Sequence, residues 1–316
     1  MKKIALIGCG RISNRHIEAI QENKNLKIEI VCDENLEKAE IAAERTGARA
    51  TSDMFDINGV DIVSVLTPSG MHPVHTALIA EQTSVPIIVT EKPISLTVRE
   101  ALEMFGRVEA AGKRLIPVYQ NRYNPLVQFI KNAIDEEKLG KVYTYICNVL
   151  WNRRDEYFSI DWHGTRQLDG GVLYTQGSHY VDMLHYFFGE LDRFHGLGGS
   201  LRNLEVYDTI STVMSFKSGT VGSLNATVNT YKKNYATELT LIAEKGTIHL
   251  TGTNLNTINH WDVEGLEKPD LEFHINHEYG KGHDFMYEYI VNERWDMFPS
   301  KDDILSGIRV MEKLSY

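Results

Sequence analysis

The sequence predicts an α/β protein: an N-terminal doubly wound parallel sheet, followed by an α+β domain built on a large open antiparallel sheet. Three observations carry this reading. Over the first 120 residues, short apolar runs alternate with amphipathic stretches. Past residue 140 the runs lengthen, alternate polar with apolar, and are punctuated by hairpin turns. A chain of 316 residues, 42% apolar and 9% aromatic, is large enough for two cores. We divide it into residues 1–121 and 122–316, with the last helix able to pack back on the first domain.

In the first part, "KIALIG", "KIEIVC", "VDIVSVL", "VPIIVT" and "RLIPVY" read as strands. Between them, "SNRHIEAIQEN", "NLEKAEIAAERTG", "HPVHTALIAEQ" and "LTVREALEMFGRVEAAG" carry helical periodicity, two of them ending at Gly47 and Gly112 as left-handed helix caps do. In the second part, "KVYTYICNVLW", "DTISTVMSFKSGTVGSLNATVNTY" and "TELTLIAEKGTIHLTG" alternate at period two, with turns at Lys217-Ser218-Gly219 and Glu244-Lys245-Gly246. One helical run, "QGSHYVDMLHYFFGE", falls among these strands, and two more lie near 282–293 and 302–315. There is no internal repeat and no low-complexity linker.

Charge and cysteine usage exclude several classes. The net charge of -10, from 33 basic and 43 acidic residues, is spread along the chain, which argues against nucleic acid as a partner. No stretch approaches the roughly 20 apolar residues of a membrane span, and the apolar part of "MKKIALIGCG" is too short for a signal peptide. Cys9, Cys32 and Cys147 are too widely spaced for a disulfide framework or a zinc site, so no metal is expected and a reducing cytoplasm is the consistent setting.

The first strand runs directly into "GCGRIS". Gly8 allows the tight turn, Gly10 lets a pyrophosphate approach the backbone beside Arg11 and Ile12, and the following helix offers its amides and dipole. Ser13 replaces the third glycine and is small enough to keep the approach while capping the helix. At the end of the second strand, "IVCDEN" places Asp33 to accept hydrogen bonds from a ribose diol and repel a 2'-phosphate, favouring NAD over NADP. Thr67, Pro68 and Ser69 of "LTPSGMHP" follow another strand, where open parallel sheets bind ligands. His72 is counted with this cofactor edge. Both His72 and His75 read as surface or capping residues at a helix start, not as metal ligands.

"EKP" follows the "VPIIVT" strand and places Glu91 and Lys92 on the same edge. Proline restricts the residue before it, so Lys92 is held stiffly, by a bond that can be cis or trans. Taken alone, a strand-end lysine only snorkels into water. In the second domain, "DGGVLYTQGSHYVD" delivers His179 near a helix start; a lone histidine there is usually a satisfied core residue. With a strand-end lysine and a nucleotide fold, the pair suggests acid–base chemistry on an alcohol beside a hydride acceptor.

The set "GCGRIS", "TPSGMHP", "EKPIS", "QNRYNP" and "GGVLYTQGSHYVD", followed by "EKGTIHL" and "GKGHDF", resembles the glucose-fructose oxidoreductase, inositol dehydrogenase and rhizopine-catabolism family over essentially the whole chain. The resemblance implies a Rossmann domain binding NAD, then a sheet whose open face makes homodimers or homotetramers. Within the family, "VYQNRYNPLVQFIKNAI", "VLWNRRDEYF" and "DWHGTRQLDGG" resemble the branch that oxidises the 3-hydroxyl of UDP-N-acetylglucosaminuronic acid for bacterial surface polysaccharides. It implies Lys92 and His179 as catalytic residues, adds Gln120 and Trp162 to the cofactor contacts, and allows a 2-oxo acid to reoxidise bound NADH. Trp162 either walls the nicotinamide pocket or packs a loop. His283 of "GKGHDF" is expected to cap or pack against the cofactor domain, without a chemical role.

One departure matters: many relatives carry an aspartate four residues before the histidine, where this chain has Thr175. A hydroxyl cannot raise imidazole basicity as a carboxylate does. Making Lys92 the neutral base would mean lowering a lysine from about 10.4 by roughly 3 pH units, about 4 kcal/mol, whereas a histidine needs no such change. We assign His179 as base and Lys92 as the group polarising the hydroxyl, with exchanged or shared roles as the alternative. For the anionic substrate the candidates are Arg122, Arg153, Arg154 and Arg166, with Asn121 and Gln176 for sugar hydroxyls. Each arginine could equally pair with Asp155, Glu156 or Asp169. A dehydrogenase of a free sugar or polyol such as inositol, and a non-catalytic sensor of NAD or sugar, are the competing functions.

Overall fold

A computed structural model describes residues 1–270 and 282–315. It divides into two compact units: Met1–Tyr119 with His283–Lys301, and Gln120–Gly282 with Asp302–Tyr316.

The first unit contains β1 (Lys2–Ile7), α1 (Ser13–Glu22), β2 (Leu26–Cys32), α2 (Leu36–Thr46), β3 (Arg49–Thr51), β4 (Ile62–Val65), α3 (His72–Gln82), β5 (Ile87–Thr90), α4 (Val98–Ala110) and β6 (Arg114–Pro117). Its sheet has the order β3-β2-β1-β4-β5-β6 with every pair parallel, the doubly wound arrangement expected. Every residue of β4 and β5 is buried, as in a sheet covered on both faces. Side chains set the helix starts: Asn35 accepts from the amide of Glu37, and Thr97 from that of Glu100. Gly47, φ 71°, and Gly112, φ 67°, supply the left-handed ends of α2 and α4.

The second unit begins with α5 (Pro125–Asp135), β7 (Val142–Leu150) and the short α6 (Asp155–Phe158). A π-helical turn over Leu173–Gly177 then leads into α7 (Ser178–Phe188). There follow β8 (Leu191–Gly199), β9 (Thr209–Phe216), β10 (Val221–Thr227), β11 (Ala236–Ala243), β12 (Gly246–Thr251) and β13 (Thr257–Val263). These seven strands form one sheet, β13-β12-β11-β7-β10-β9-β8, antiparallel except where β7 and β10 run parallel.

The alternation in β7 decides which face is covered. Val142, Tyr145, Cys147 and Val149 are buried, while Tyr143 and Ile146 are exposed. On the covered face Tyr145 stacks on Phe188 of α7 at 5.4 Å, and Phe188 meets Phe216 edge-on at 5.3 Å.

The chain ends with α8 (Gly282–Val291) and α9 (Lys301–Leu314). His283–Lys301 joins the first unit, whereas α9 beyond Lys301 belongs to the second. Among the described residues, no helix is long and apolar enough to cross a membrane.

Candidate active site

Parallel pairing brings the ends of β1, β4 and β5, neighbours in the sheet, to one carboxyl edge. There Gly8 takes φ 98°, and a Cβ on it would stand 2.7 Å from the Leu66 carbonyl oxygen, so the turn after β1 admits only glycine. Gly10 faces open space, with no atom within 4 Å of an added Cβ. Ser13 does not cap α1 as expected. Its hydroxyl lies within the helix's first turn, donating to the Gly10 carbonyl at 2.7 Å, and no side chain caps the N-terminus. Asp33 accepts from the amides of Cys9 (2.8 Å) and Asn35 (3.0 Å), tying the glycine turn to the end of β2 while keeping lone pairs for a diol. Burial, with the Asp33 charge close by, pushes the Cys9 thiol up to about 12, so it is no nucleophile. Arg11 is exposed and Ile12 half-buried.

His72 is not at the surface. It is buried, and its ring nitrogens lie 2.7 Å from the carbonyl oxygens of Thr67 and Pro93, bridging the turns after β4 and β5. His75 stands 3.0 Å from the Thr67 hydroxyl, and Ser69 is buried beside them. Lys92 is half-buried and its bond to Pro93 is cis.

Glu91, expected at the cofactor, turns its carboxylate inward. Oε1 accepts from His16 Nε2 at 2.9 Å and His283 Nε2 at 3.2 Å, and Oε2 accepts the Lys92 amide at 2.9 Å. Burial alone would raise this acid, but the hydrogen bonds from the two histidines outweigh it and hold Glu91 well below the carboxylate range. Neither His16 nor Tyr287, which bonds His16 Nδ1 at 2.7 Å, stood out in the sequence.

In the second unit, the π turn sets the register in which α7 presents His179, an irregularity often found at functional sites. Thr175 hydrogen-bonds back to the Gly171 carbonyl at 3.0 Å. The Gln120 side-chain amide lies 3.3 Å from His179 Nε2. An amide nitrogen only donates, so Nε2 holds the ring's lone pair and the proton sits on Nδ1. Gln120 Oε1 is buried without a partner among the described residues, an acceptor open to a ligand.

The candidate cations separate. Arg122 is buried, donating through Nε and Nη2 to the two oxygens of Asp182, each at 2.7 Å, with Asp303 at 3.6 Å. Burial opposes its charge, yet the Asp182 carboxylate raises it further, so Arg122 stays charged as a strut beneath α7. Arg153 donates to Gln176 Oε1 at 3.0 Å and lies 4.9 Å from the Trp151 ring, bringing two expected substrate residues together. Arg154 and Arg166 are exposed, and Asn121 is buried in the turn before α5. The acids near these arginines have other partners: Asp155 pairs with Arg202, and Asp169 with His163 at 3.2 Å. Trp162 packs at 3.7 Å against His163, which stacks on Tyr157 at 3.8 Å. Tyr157, Asp169 and Thr175 share the lining of one small cleft.

Residues 2–119 match the profile described as "Oxidoreductase family, NAD-binding Rossmann fold", and residues 127–249 that of the "GFO/IDH/MocA C-terminal domain". A crystallised WlbA dehydrogenase from Bordetella pertussis, in complex with NADH and UDP-GlcNAcA, is 30% identical, with 99% of this chain and 94% of that one covered at a TM-score of 0.90. The WlbA enzyme of Chromobacterium violaceum, with the same ligands, is 31% identical over 100% and 96% at 0.87. The chain belongs to this oxidoreductase family, and its first unit is an NAD-binding Rossmann domain. Curated relatives include the levoglucosan dehydrogenase of Pseudarthrobacter phenanthrenivorans, 25% identical over 236 residues, 65% of this chain. Another is the D-glucoside 3-dehydrogenase of Escherichia coli, 27% identical over 193 residues, 59% of this chain. The matches span 60% and 54% of the length of these two.

Proposed function

We propose that the protein oxidises the 3-hydroxyl of UDP-N-acetylglucosaminuronic acid, using NAD. The supporting observation is likeness over nearly the whole chain to two dehydrogenases solved with NADH and that sugar nucleotide. Low-identity relatives named as levoglucosan and D-glucoside dehydrogenases favour a second reading, a dehydrogenase of a sugar or polyol that carries no nucleotide.

The residues fit the dinucleotide. The turn at Gly8 and Gly10 and the uncapped start of α1 would take the pyrophosphate, Asp33 the adenosine ribose, and Thr67, Pro68 and Ser69 the approach to the nicotinamide. When bound, NAD supplies the hydride acceptor.

The chain's own groups handle the proton. His179 takes it from the substrate hydroxyl at Nε2, the ring atom without a proton, the hydroxyl replacing the Gln120 amide as donor to its lone pair. The Lys92 ammonium donates to the same oxygen and steadies the charge that grows there. Arg153, aligned by Gln176, and the exposed Arg154 and Arg166 are offered to the carboxylate and diphosphate.

Substrate carrying deuterium at C3 tests the regiochemistry. The label should appear on the reduced nicotinamide, and reduction without transfer of label would refute oxidation at C3. Reoxidation of the bound cofactor by a 2-oxo acid belongs to the same proposal.

A further inference from the structure

The groups around Glu91 come from four separated stretches of chain: His16 from α1, Ser64 from β4, Glu91 and Lys92 from the turn after β5, and His283 and Tyr287 from α8. All belong to the first unit. We propose that this buried hydrogen-bonded relay is a positioning device for Lys92, through which Glu91, His16, Tyr287 and His283 act in catalysis without touching the substrate. The inference rests on the reading of Lys92 as the group that meets the substrate hydroxyl.

The donor and acceptor count fixes the direction of every bond. A carboxylate only accepts, so the contacts at Glu91 Oε1 place protons on Nε2 of both His16 and His283. Neutral His16 then has its lone pair on Nδ1, which takes the Tyr287 hydroxyl proton at 2.7 Å. Tyr287 in turn accepts from Ser64 Oγ at 2.9 Å. Donation therefore runs from Ser64 through Tyr287 and His16 to Glu91, and His283 donates to Glu91 from the other side. The remaining oxygen, Oε2, takes the Lys92 amide.

With every direction fixed, the relay supports one placement of the Glu91 carboxylate and so one placement of the Lys92 backbone. His72 fixes the following carbonyl, that of Pro93, from the α3 side. Ser64, His16 and Tyr287 are wholly buried and Glu91 is 3% exposed. Burying this many polar groups is costly unless each is satisfied, and a satisfied network specifies position more than it adds stability.

His16, Glu91 and His283 also offer ligand atoms within 4.8 Å of one another, as a metal site would. The contacts of 2.9 and 3.2 Å, and the Tyr287 bond behind His16, are accounted for by hydrogen bonding.

The test uses the full chain carrying Glu91→Gln, Tyr287→Phe or Lys92→Ala, and each of the first two combined with Lys92→Ala. Three quantities are read: the single-turnover rate of NAD reduction by the UDP-sugar uronate, the NAD dissociation constant, and deuterium exchange of the peptide carrying the Lys92 amide. We expect the rate to fall about tenfold in Tyr287→Phe and about a hundredfold in Glu91→Gln, as for a slightly misplaced catalytic group. NAD affinity should stay within about twofold, and the Lys92 amide should exchange faster. In the Lys92→Ala background neither substitution should lower the rate further, since a residue acting only through Lys92 has nothing left to act on.

Losses that add in full to that of Lys92→Ala, an amide as protected as in the wild type, or stoichiometric metal in the purified protein would each overturn the proposal. Tyr287→Phe keeps the ring and removes only the hydroxyl, so it carries the test where Glu91→Gln does not fold. If the wild type is reduced by no sugar offered, the functional reading has failed, and amide exchange alone then decides the positioning claim.

Discussion

At Gly8, backbone geometry and ligand approach make the same demand: φ is 98°, and a methyl group would press on the Leu66 carbonyl at 2.7 Å. Gly8→Ala should therefore weaken NAD binding severely and cost about 1–3 kcal/mol of stability, read by calorimetry and thermal melting. His179→Asn keeps a polar side chain but loses the base. It should slow single-turnover reduction by roughly 10²–10⁴-fold while leaving NAD affinity nearly unchanged. One buried histidine predicts a pH dependence. Burial holds His16 below the ordinary value of 6.5, so the unfolded chain takes up a proton on this ring where the folded chain does not. Stability then falls as pH drops below about 6.5, and the depressed Glu91 adds a loss in the same direction at lower pH. A melting temperature that stays flat between about pH 7 and pH 5 would contradict this. Gly8, Asp33, Lys92 and His179 were legible because each sits in a short motif at a strand end or helix start. The Glu91 relay was not, because its bonds join residues 75 and 271 positions apart, which no local pattern encodes.

Among the elements, α7 carries His179 and is braced from beneath by the Arg122–Asp182 pair. Removing one partner strands the other charge in the core. Arg122→Leu should cost about 3–5 kcal/mol in denaturant unfolding, and pairing it with Asp182→Leu should recover much of that. A double variant no more stable than the single would mean that the loss came from packing. The central strands and the hairpins were readable from their periodicity. The three-residue β3 is too short to show a pattern, and β8, "LDRFHGLGG", has too many glycines and charges. The start of α5 did carry a signal, Asn124 capping with Pro125 at the first helical position. Charge nominated Arg122, Arg153, Arg154 and Arg166 alike, and only packing set Arg122 apart as a strut.

On the scale of the whole molecule, the two units were visible as a change from alternating strand and helix to long alternating strands. Residues 283–301 join the first unit, and the sign of this in the sequence was His283, expected to cap or pack against the cofactor domain. The open face of the second sheet exposes Tyr143, Ile146, Val213, Val221 and Ile242. We predict that this apolar face pairs copies of the chain. Light scattering should find a dimer or tetramer, and Ile146→Lys with Val213→Lys should yield smaller species; a wild-type monomer would refute the prediction.

The measurement that bears most directly on function is single-turnover reduction of the NAD-loaded protein, followed by nicotinamide absorbance. The panel is UDP-N-acetylglucosaminuronate, UDP-N-acetylglucosamine, inositol and glucose. Reduction by the uronate, with little or none by the other three, is the expected result. Reduction by inositol or glucose, with the uronate inert, would contradict it.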